Sequence, residues 1–320
     1  MAVVGAGAVG ARVARQFAAT DEVAAVYVVT SSRPGIVDSL GRRAFATHDL
    51  DHLDLDAVVL ARGARDEVDF ARRQLEAGRH VISTADAPEI VTALLALDGL
   101  ARSRRRSCIV GAGFSPGLSG LLARYLSAEM SDVEEIHVAK SGTGGPACAR
   151  EHHRALGATA LERVNGQTEQ HRGGSGRELC WFPGSVGARD CYRADLVEPL
   201  LVGRAFPKAT RITARVAATR RDRFLGGLPM LREPHVEGVE GAIRVEVRGR
   251  RDGAQVTAVA GATGPPAVAA GAVAASVAMF AWRNDLVGAQ ACCEFPNHAD
   301  VLADVVNRGV HVARFVGQPV

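Results

Sequence analysis

The sequence predicts an α/β protein in which a doubly wound parallel sheet of the Rossmann type precedes a second, α+β domain with a mixed sheet. Three observations support this prediction. A short apolar run opens the chain and passes through Gly-x-Gly-x-x-Gly into a helix-forming run. Strand-like and helix-like segments then alternate regularly as far as residue 111, which is typical of a parallel sheet. After Met130 strand-like segments dominate and helices become sparse.

These patterns divide the 320 residues into three parts. Residues 1–115 are predicted to form a dinucleotide-binding domain. Residues 116–264 are predicted to form an α+β domain for substrate binding and dimerisation. Residues 265–320 are predicted to be helices that pack back on the first domain. A chain of this length fits one large domain or two ordinary ones.

The amino-acid composition limits the classes of protein to which this chain can belong. Hydrophobic residues make up 47% and charged residues 23%, as expected for a globular protein with a large core. The net charge is only +3 and its basic residues are dispersed, which argues against nucleic acid or a membrane as the main partner. The six cysteines lack metal-ligand spacing, so no metal site is expected. No export signal is recognised, and a cytoplasmic location with reduced thiols is therefore expected.

The first element is a strand over residues 2–4 that leads into the glycine motif. Gly5 permits a tight turn, Gly7 allows a pyrophosphate to approach the backbone, and Gly10 lets the helix pack against the strand. Ala8 and Val9 begin that helix, and its free N–H groups favour a negative charge. The motif therefore predicts a bound dinucleotide. The alternative is a glycine-rich turn in an ordinary βαβ unit.

The second strand, residues 23–29, ends in Thr30-Ser31-Ser32-Arg33. An NAD site usually carries an acidic residue at this place, to bind the ribose 2′-hydroxyl. Hydroxyl groups and a guanidinium suit a 2′-phosphate instead. These residues therefore favour NADP as the cofactor, with NAD possible; the alternative is a solvated loop.

The alternation continues with strands over residues 44–46, 57–61, 80–83 and 107–111 and helices over residues 66–77 and 88–102. Ala61, Arg62 and Thr84 lie at strand ends and are expected to contact the cofactor.

A second glycine-rich turn, Gly111–Ser119, follows the last strand of this domain. Ser115 is suited to cap a helix and Pro116 to begin it. Free N–H groups near Gly117 and Leu118 are expected to hold a carboxylate or the cofactor ribose. The alternative is a simple crossover between domains.

Strands of the second domain are expected over residues 135–140, 177–182, 210–217, 242–248 and 255–261. Helices are expected over residues 265–282 and 298–308. The first of these helices contains the longest apolar run, which is rich in Ala and Gly and falls short of a membrane span.

Three motifs in this order resemble the saccharopine dehydrogenase-like oxidoreductases, a group that includes saccharopine reductase, lysine 6-dehydrogenase and carboxynorspermidine dehydrogenase. The motifs are Gly5–Gly10, Gly78–Thr84 and Gly113–Ser119. The resemblance covers residues 1–130 and is only architectural beyond them. It implies a nicotinamide-dependent enzyme that acts at a C–N bond of an amino acid or imine.

The resemblance also implies roles for single residues. Gly5, Gly7 and Gly10 would contact the pyrophosphate and Arg33 the 2′-phosphate of NADP. Pro116 and Gly117 would lie beside the nicotinamide.

Two other functions remain open. The sugar-type oxidoreductases of the Gfo/Idh/MocA group share the Ala-Gly-x-His-Val pattern of residues 77–81, but residues 84–88 lack the catalytic lysine of that group. A nucleotide-binding sensor or scaffold that has lost catalysis is the other alternative.

Candidate catalytic residues follow the first strand of the second domain. Lys140 lies at its end, and His152 and His153 follow shortly after. A histidine near the nicotinamide would carry a proton at neutral pH. Each of these residues also fits a solvated surface.

Arg177, Arg189 and Tyr192 are the candidates for substrate binding, since arginine suits a carboxylate. Their alternatives are surface salt bridges for the arginines and core packing for the tyrosine. A homodimer through the second sheet is also expected.

Overall fold

The chain is described by a computed structural model that covers residues 1–30, 34–63, 66–226, 228–230 and 233–315. In this part of the chain the strands are β1 (Ala2–Val4), β2 (Val26–Val29), β3 (Ala44–Thr47), β4 (Ala57–Leu60), β5 (His80–Ser83), β6 (Ser107–Val110), β7 (Asp132–Thr143), β8 (Thr159–Val164), β9 (Gln167–Arg172), β10 (Glu178–Phe182), β11 (Gly187–Arg193), β12 (Arg211–Ala217), β13 (Val239–Arg251), β14 (Ala254–Gly264), β15 (Gly288–Ala291) and β16 (His311–Phe315).

The α-helices of the same residues are α1 (Ala8–Ala18), α2 (Glu67–Glu76), α3 (Pro88–Leu95), α4 (Asp98–Ser103), α5 (Ser119–Ser127), α6 (Pro146–Ala155), α7 (Glu198–Ala205), α8 (Arg220–Leu225), α9 (Pro266–Arg283) and α10 (His298–Asn307). Short 3₁₀ helices occupy Pro34–Ser39, Gly184–Val186 and Cys292–Glu294, and a π-type turn occupies Phe114–Leu118.

The first sheet is parallel throughout and has the strand order β15-β6-β5-β4-β1-β2-β3. Its central strands β4, β5 and β6 are fully buried and consist largely of apolar residues, as strands covered on both faces require. The predicted doubly wound parallel sheet is confirmed. One strand of it comes from the C-terminal part of the chain, where only helices were predicted.

The second sheet is mixed, with the order β10-β11-β12-β7-β13-β14-β16 and the β8–β9 hairpin attached to β12. β12 and β7 run parallel, whereas the other neighbours on this path are antiparallel. The predicted mixed sheet is therefore confirmed. β16 also comes from the C-terminal part, so that part contributes strands to both sheets as well as helices.

Helix α9 packs against α1 on a face of small residues. A Cβ atom added at Gly271 would lie 2.5 Å from the Cβ of Arg12, so the helices approach closely. By length and composition α9 could cross a membrane, but 78% of it is buried inside the protein, as in the core helix of a globular domain.

The glycine motif fixes how α1 meets β1. Gly10 faces the turn that leaves β1, and a Cβ atom added there would lie 1.9 Å from the carbonyl oxygen of Gly5. That contact is with backbone and cannot be relieved by a side-chain rotation. Close packing of the helix on the strand therefore depends on glycine at this position.

We expect Gly10→Ala to lower the free energy of unfolding by about 3 kcal/mol, because the added methyl overpacks the turn. The measurement is urea unfolding followed by circular dichroism. Gly99→Ala in α4 is the matched control, because a Cβ there meets nothing within 4 Å. It should leave stability equal or raise it by up to about 1 kcal/mol, through its higher helix propensity. Equal stability of the two variants would contradict the packing role of Gly10.

Candidate active site

A cleft of about 1220 Å³ opens where the carboxyl ends of β1, β4, β5 and β6 meet β7 and α6. In a doubly wound sheet, ligands bind outside the carboxyl ends of the strands, where the strand order reverses. Here the reversal lies between β1 and β4, and residues that follow both strands line the cleft. The topology therefore puts the candidate site at the place that the fold favours.

The glycine motif leaves room for a ligand at one position. A Cβ atom added at Gly7 meets nothing within 4 Å, and Gly7, Ala8 and Val9 line the cleft. Gly5 and Gly10 do not line it. Gly5 has φ +108°, and a Cβ there would lie 2.7 Å from the carbonyl oxygen of Ala61. Gly5 and Gly10 therefore shape the turn, while Gly7 leaves the space that a pyrophosphate would need.

The residues predicted to select the cofactor lie after β2. Thr30 is buried at 7% exposure. Ser31, Ser32 and Arg33 lie outside the described residues. The preference for NADP over NAD therefore stays a prediction.

The remaining predicted cofactor contacts divide into two sets. Ala61, Arg62, Thr84 and Ser115 line the cleft. Pro116 and Gly117 do not, because Pro116 packs against Gly111 and a Cβ at Gly117 would meet the Gly111 carbonyl oxygen at 2.8 Å. Their position beside the nicotinamide therefore stays a prediction, and in the structure they pack within the turn.

Ser115 also has a different role from the helix cap that its sequence context indicates. α5 begins four residues later, and the Ser115 hydroxyl donates a hydrogen bond to Oε1 of Glu198, which is buried at 1% exposure. The N–H of Leu118 donates to the carbonyl oxygen of Gly113 and is not free for a ligand. This turn therefore anchors Ser115, which lines the cleft, to a buried carboxylate of α7.

Lys140 lies near the end of β7 with its side chain 11% exposed, and its Nζ is 3.9 Å from Oδ2 of Asp86. Burial alone would lower the pKa of this ammonium, but the carboxylates of Glu198 and Asp86 raise it above its ordinary value. Lys140 is therefore a fixed positive charge at neutral pH. Burial in turn raises the pKa of Asp86, and the nearby Lys140 opposes that rise.

Helix α6 presents its two histidines and a cysteine to the same cleft. Burial and the charge of Lys140 lower the pKa of His152 to about 4, and its Nε2 lies 3.3 Å from the carbonyl oxygen of Ala217. Nε2 of His153 lies 2.9 Å from the carbonyl oxygen of Leu228. Burial raises the pKa of the Cys148 thiol. His152 and Cys148 are thus both neutral at pH 7, so Lys140 and Asp86 are the ion pair of this part of the cleft.

The three residues predicted to bind substrate do not line the cleft, and their role in substrate binding stays a prediction. Arg177 is exposed and its Nε forms an ion pair with Asp190 at 2.9 Å. Arg189 is exposed on β11, and Tyr192 is a core residue at 1% exposure. The charged residues around Arg177 and Asp190 thus form a surface ion pair.

A buried carboxyl group supports the loop that carries Asp86. Glu67, at the start of α2, is 1% exposed, and its Oε1 accepts a hydrogen bond of 2.6 Å from the Ser83 hydroxyl. The same hydroxyl accepts a bond of 3.1 Å from the N–H of Ala85. Oε2 of Glu67 is buried and has no partner among the described residues. Burial raises the pKa of Glu67 to about 7, although the bond from Ser83 opposes the rise.

The sequence alone did not identify Asp86, Glu198 or Glu67. Asp86 follows a strand at the carboxyl edge of the sheet, and that position was the one signal available for it. Glu198 lies 83 residues from the serine it contacts, so no local pattern joins them.

Neither protein-family models nor curated proteins match the sequence. Solved structures do match over nearly the whole chain. Saccharopine dehydrogenase (L-Glu forming) from Saccharomyces cerevisiae superposes with a TM-score of 0.70 and 13% identity, over 98% of this chain and 99% of that one. This chain has the saccharopine dehydrogenase fold.

Two further structures share the fold at lower similarity. The C. glutamicum DAP dehydrogenase in complex with DAP has a TM-score of 0.53 and 13% identity, over 96% of this chain and 98% of that one. An engineered D-amino acid dehydrogenase bound to NADP+ has a TM-score of 0.51 and 12% identity, with the same coverage. The two-domain fold implied by the sequence resemblance is therefore confirmed.

The raised pKa of Glu67 makes stability depend on pH. The folded state holds its proton more tightly than the unfolded chain, so the free energy of unfolding falls as pH rises from 4.5 to about 7. Glu67→Gln should remove the contribution of Glu67 to this decrease in the free energy of unfolding. That contribution amounts to at most about 3 kcal/mol. The measurement is urea unfolding across pH 4 to 8.

Glu76→Gln, at the exposed end of the same helix, is the control and should follow the wild type at each pH. If the free energies of unfolding of Glu67→Gln and the wild type differed by the same amount at every pH from 4 to 8, Glu67 would have its ordinary pKa.

Proposed function

We propose that this protein is a nicotinamide-dinucleotide-dependent oxidoreductase that acts at a C–N bond of a small amino-acid-like substrate, with NADP as the preferred cofactor. One observation carries the proposal: the open space at Gly7 and the Lys140–Asp86 ion pair share a single cleft. The space for a dinucleotide phosphate and the ion pair suited to proton transfer thus lie in the same cleft. A homodimer and a cytoplasmic location accompany the proposal as predictions from the sequence.

The residues around the glycine turn suit a dinucleotide. Gly7, Ala8 and Val9 would hold the pyrophosphate through backbone N–H groups at the start of α1. Arg62 and Thr84 line the wall between this turn and Lys140. When bound, the nicotinamide would supply a hydride acceptor or donor.

Lys140 and Asp86 would manage the nitrogen end of the substrate. Asp86, whose pKa is raised by burial, would take a proton from the substrate ammonium, because hydride departs from carbon only when the amine is neutral. Lys140 keeps its proton and would orient the substrate by hydrogen bonding. In the opposite direction, Asp86 would return the proton to the nitrogen.

Proteins that share the fold agree in chemical class with this proposal. Saccharopine dehydrogenase, DAP dehydrogenase and D-amino acid dehydrogenase are all named for oxidation of amino-acid substrates. The likeness supports the choice of amines and amino acids as the first substrates to test.

The proposal is tested by adding NADP+ or NAD+ to the protein, with thermal unfolding and nicotinamide absorbance as readouts, while amino acids are screened. We expect stabilisation by the dinucleotide, greater for NADP+, and reduction of the cofactor by at least one amino acid. Binding without turnover of any substrate would favour a sensor. Turnover of a polyol and of no amine would favour a sugar dehydrogenase.

Gly7→Val should abolish dinucleotide binding and leave the fold intact. The backbone at Gly7 has φ −72° and ψ −170°, which any residue adopts, and its side chain would enter only the cleft. Calorimetric titration with NADP+ measures the binding, and unfolding by urea checks the fold. If the variant bound NADP+ as the wild type does, the phosphate would lie elsewhere.

Lys140→Met should lower kcat by about a hundredfold or more, since it removes the group that orients the substrate and leaves Asp86 without its counter-charge. The pH at which residual activity appears should rise, because the pKa of Asp86 is no longer held down. Lys140→Arg keeps the charge and should keep the wild-type pH profile. An unchanged kcat in Lys140→Met would exclude Lys140 from the reaction.

A further inference from the structure

Two buried side-chain atoms near the start of α2 have no hydrogen-bond partner among the described residues: Oε2 of Glu67 and Nε of Arg62. Glu67 is buried, and its Oε1 already accepts the hydrogen bond from Ser83. Arg62 lies just after β4 and lines the cleft. Unpartnered buried polar atoms are rare in folded proteins, and they point to a functional role or to a bound group.

The guanidinium of Arg62 lies over the first turn of α2, the turn that carries Glu67. Its Nη2 is 2.8 Å from Oδ2 of Asp66, and its Cζ is 5.0 Å from the centroid of the Phe70 ring. Burial raises the pKa of Glu67, whereas the hydrogen bond from Ser83 and the charge of Arg62 lower it. Arg62 therefore connects the charge state of a buried carboxyl group to the wall of the cleft.

The other titratable groups around Glu67 disfavour its ionisation or carry no charge at pH 7. Beyond burial, the negative charges of Asp66 and Asp86 also raise its pKa. Strand β4 has no titratable side chain; burial raises the pKa of Cys108 on β6 to about 12 and lowers the pKa of His80 on β5 to about 4. The helices packed on α2 carry their charges at the surface: Glu89 on α3 and the Asp98–Arg102 pair on α4.

We propose that Glu67 is a positioning residue of the dinucleotide site and takes up a proton on Oε2 when a dinucleotide binds beside Arg62. The inference rests on the dinucleotide-binding part of the proposed function and adds its regulation by pH. A phosphate that engages the guanidinium neutralises the cation that favours the Glu67 carboxylate, and it brings negative charge of its own. Both effects favour the protonated carboxyl group, in which Oε1 keeps the bond from Ser83.

The same carboxyl group also supports the loop after β5. The Ser83 hydroxyl, which donates to Oε1 of Glu67, accepts from the N–H of Ala85. The next residue, Asp86, pairs with Lys140. Glu67 thus joins the wall that would hold the dinucleotide to the loop that carries the ion pair.

The charges around Glu67 determine the sign of the coupling. In the free protein, burial raises the pKa of Glu67 to about 7. A bound dinucleotide should raise this pKa further, so the complex takes up a proton when it forms just above pH 7. Linkage then requires weaker binding as pH rises, by about tenfold in total for each unit by which the pKa rises on binding.

The test is calorimetric titration of NADP+ into the protein at pH 6, 7, 8 and 9, in two buffers that differ in ionisation enthalpy, which gives the number of protons taken up. We expect the uptake by wild type to be largest just above pH 7 and to be lost in Glu67→Gln, whose Kd should vary less with pH. The 2′-phosphate of NADP+, with a pKa of about 6, titrates in every variant, so the difference between variants reports Glu67.

Two further variants test the contacts of Glu67. Ser83→Ala should move the maximum of proton uptake to higher pH, because the bond from Ser83 lowers the pKa of Glu67. Arg62→Gln should bind NADP+ more weakly and take up fewer protons, because the cation shared by phosphate and carboxylate is gone. Urea unfolding checks that each variant is folded.

Glu76→Gln, at the exposed end of α2, is the matched control and should take up as many protons as the wild type. Asp86→Asn removes the carboxyl group that lines the cleft and should keep the uptake. If Asp86→Asn lost the uptake and Glu67→Gln kept it, the proton would be on Asp86 and the proposal would be wrong.

An equal pH dependence of NADP+ binding in wild type and Glu67→Gln would also overturn the inference and leave the proposed function intact. A Ser83→Ala variant with its maximum at the wild-type pH would contradict it as well. If wild type bound no dinucleotide at any pH, the proposed function itself would fail, and the inference with it.

Discussion

The buried ammonium group of Lys140 is the interaction on which the candidate site depends. A charge of this kind is tolerated in a protein interior only when opposite charges surround it. Here they come from distant segments: Asp86 follows β5, Glu151 lies on α6 and Glu198 begins α7. Each of these segments must be in place for the charge to be compensated. The same electrostatic interactions therefore link the loop after β5 with β7, α6 and α7 around the candidate site.

The parallel sheet supplies the other half of the arrangement. Reversal of strand order between β1 and β4 opens a crevice at the carboxyl edge, and the Gly5–Gly10 turn borders it. Gly10 holds α1 against the strand, and Gly5 adopts a backbone conformation that other residues rarely reach. Gly7 is the one glycine of the three that faces the crevice. Within this one motif, Gly5 and Gly10 are therefore needed for packing, and Gly7 leaves space for a ligand.

The sequence predicted those parts of the molecule whose cause is local. Glycine spacing, apolar strands and their regular alternation with helices follow from neighbouring residues, and they predicted the parallel sheet and the cleft at its edge. Contacts between residues that are far apart in the sequence could not be predicted from such local patterns. Ser115 has the local pattern of a helix cap, yet its hydroxyl donates to Glu198, far along the chain. Arg177 looked available for a ligand, yet it pairs with Asp190 across β10 and β11.

Charge compensation also limits the chemistry that the cleft can perform. His152 and Cys148 are neutral at pH 7, and Lys140 holds its proton, so Asp86 is the group in this part of the described cleft that suits proton exchange. Reduction of a ketone would require a proton donor for the developing alkoxide. An iminium ion arrives already protonated at nitrogen and makes a smaller demand. The electrostatics of the cleft are therefore compatible with the C–N chemistry proposed above, in which the iminium nitrogen needs no separate proton donor.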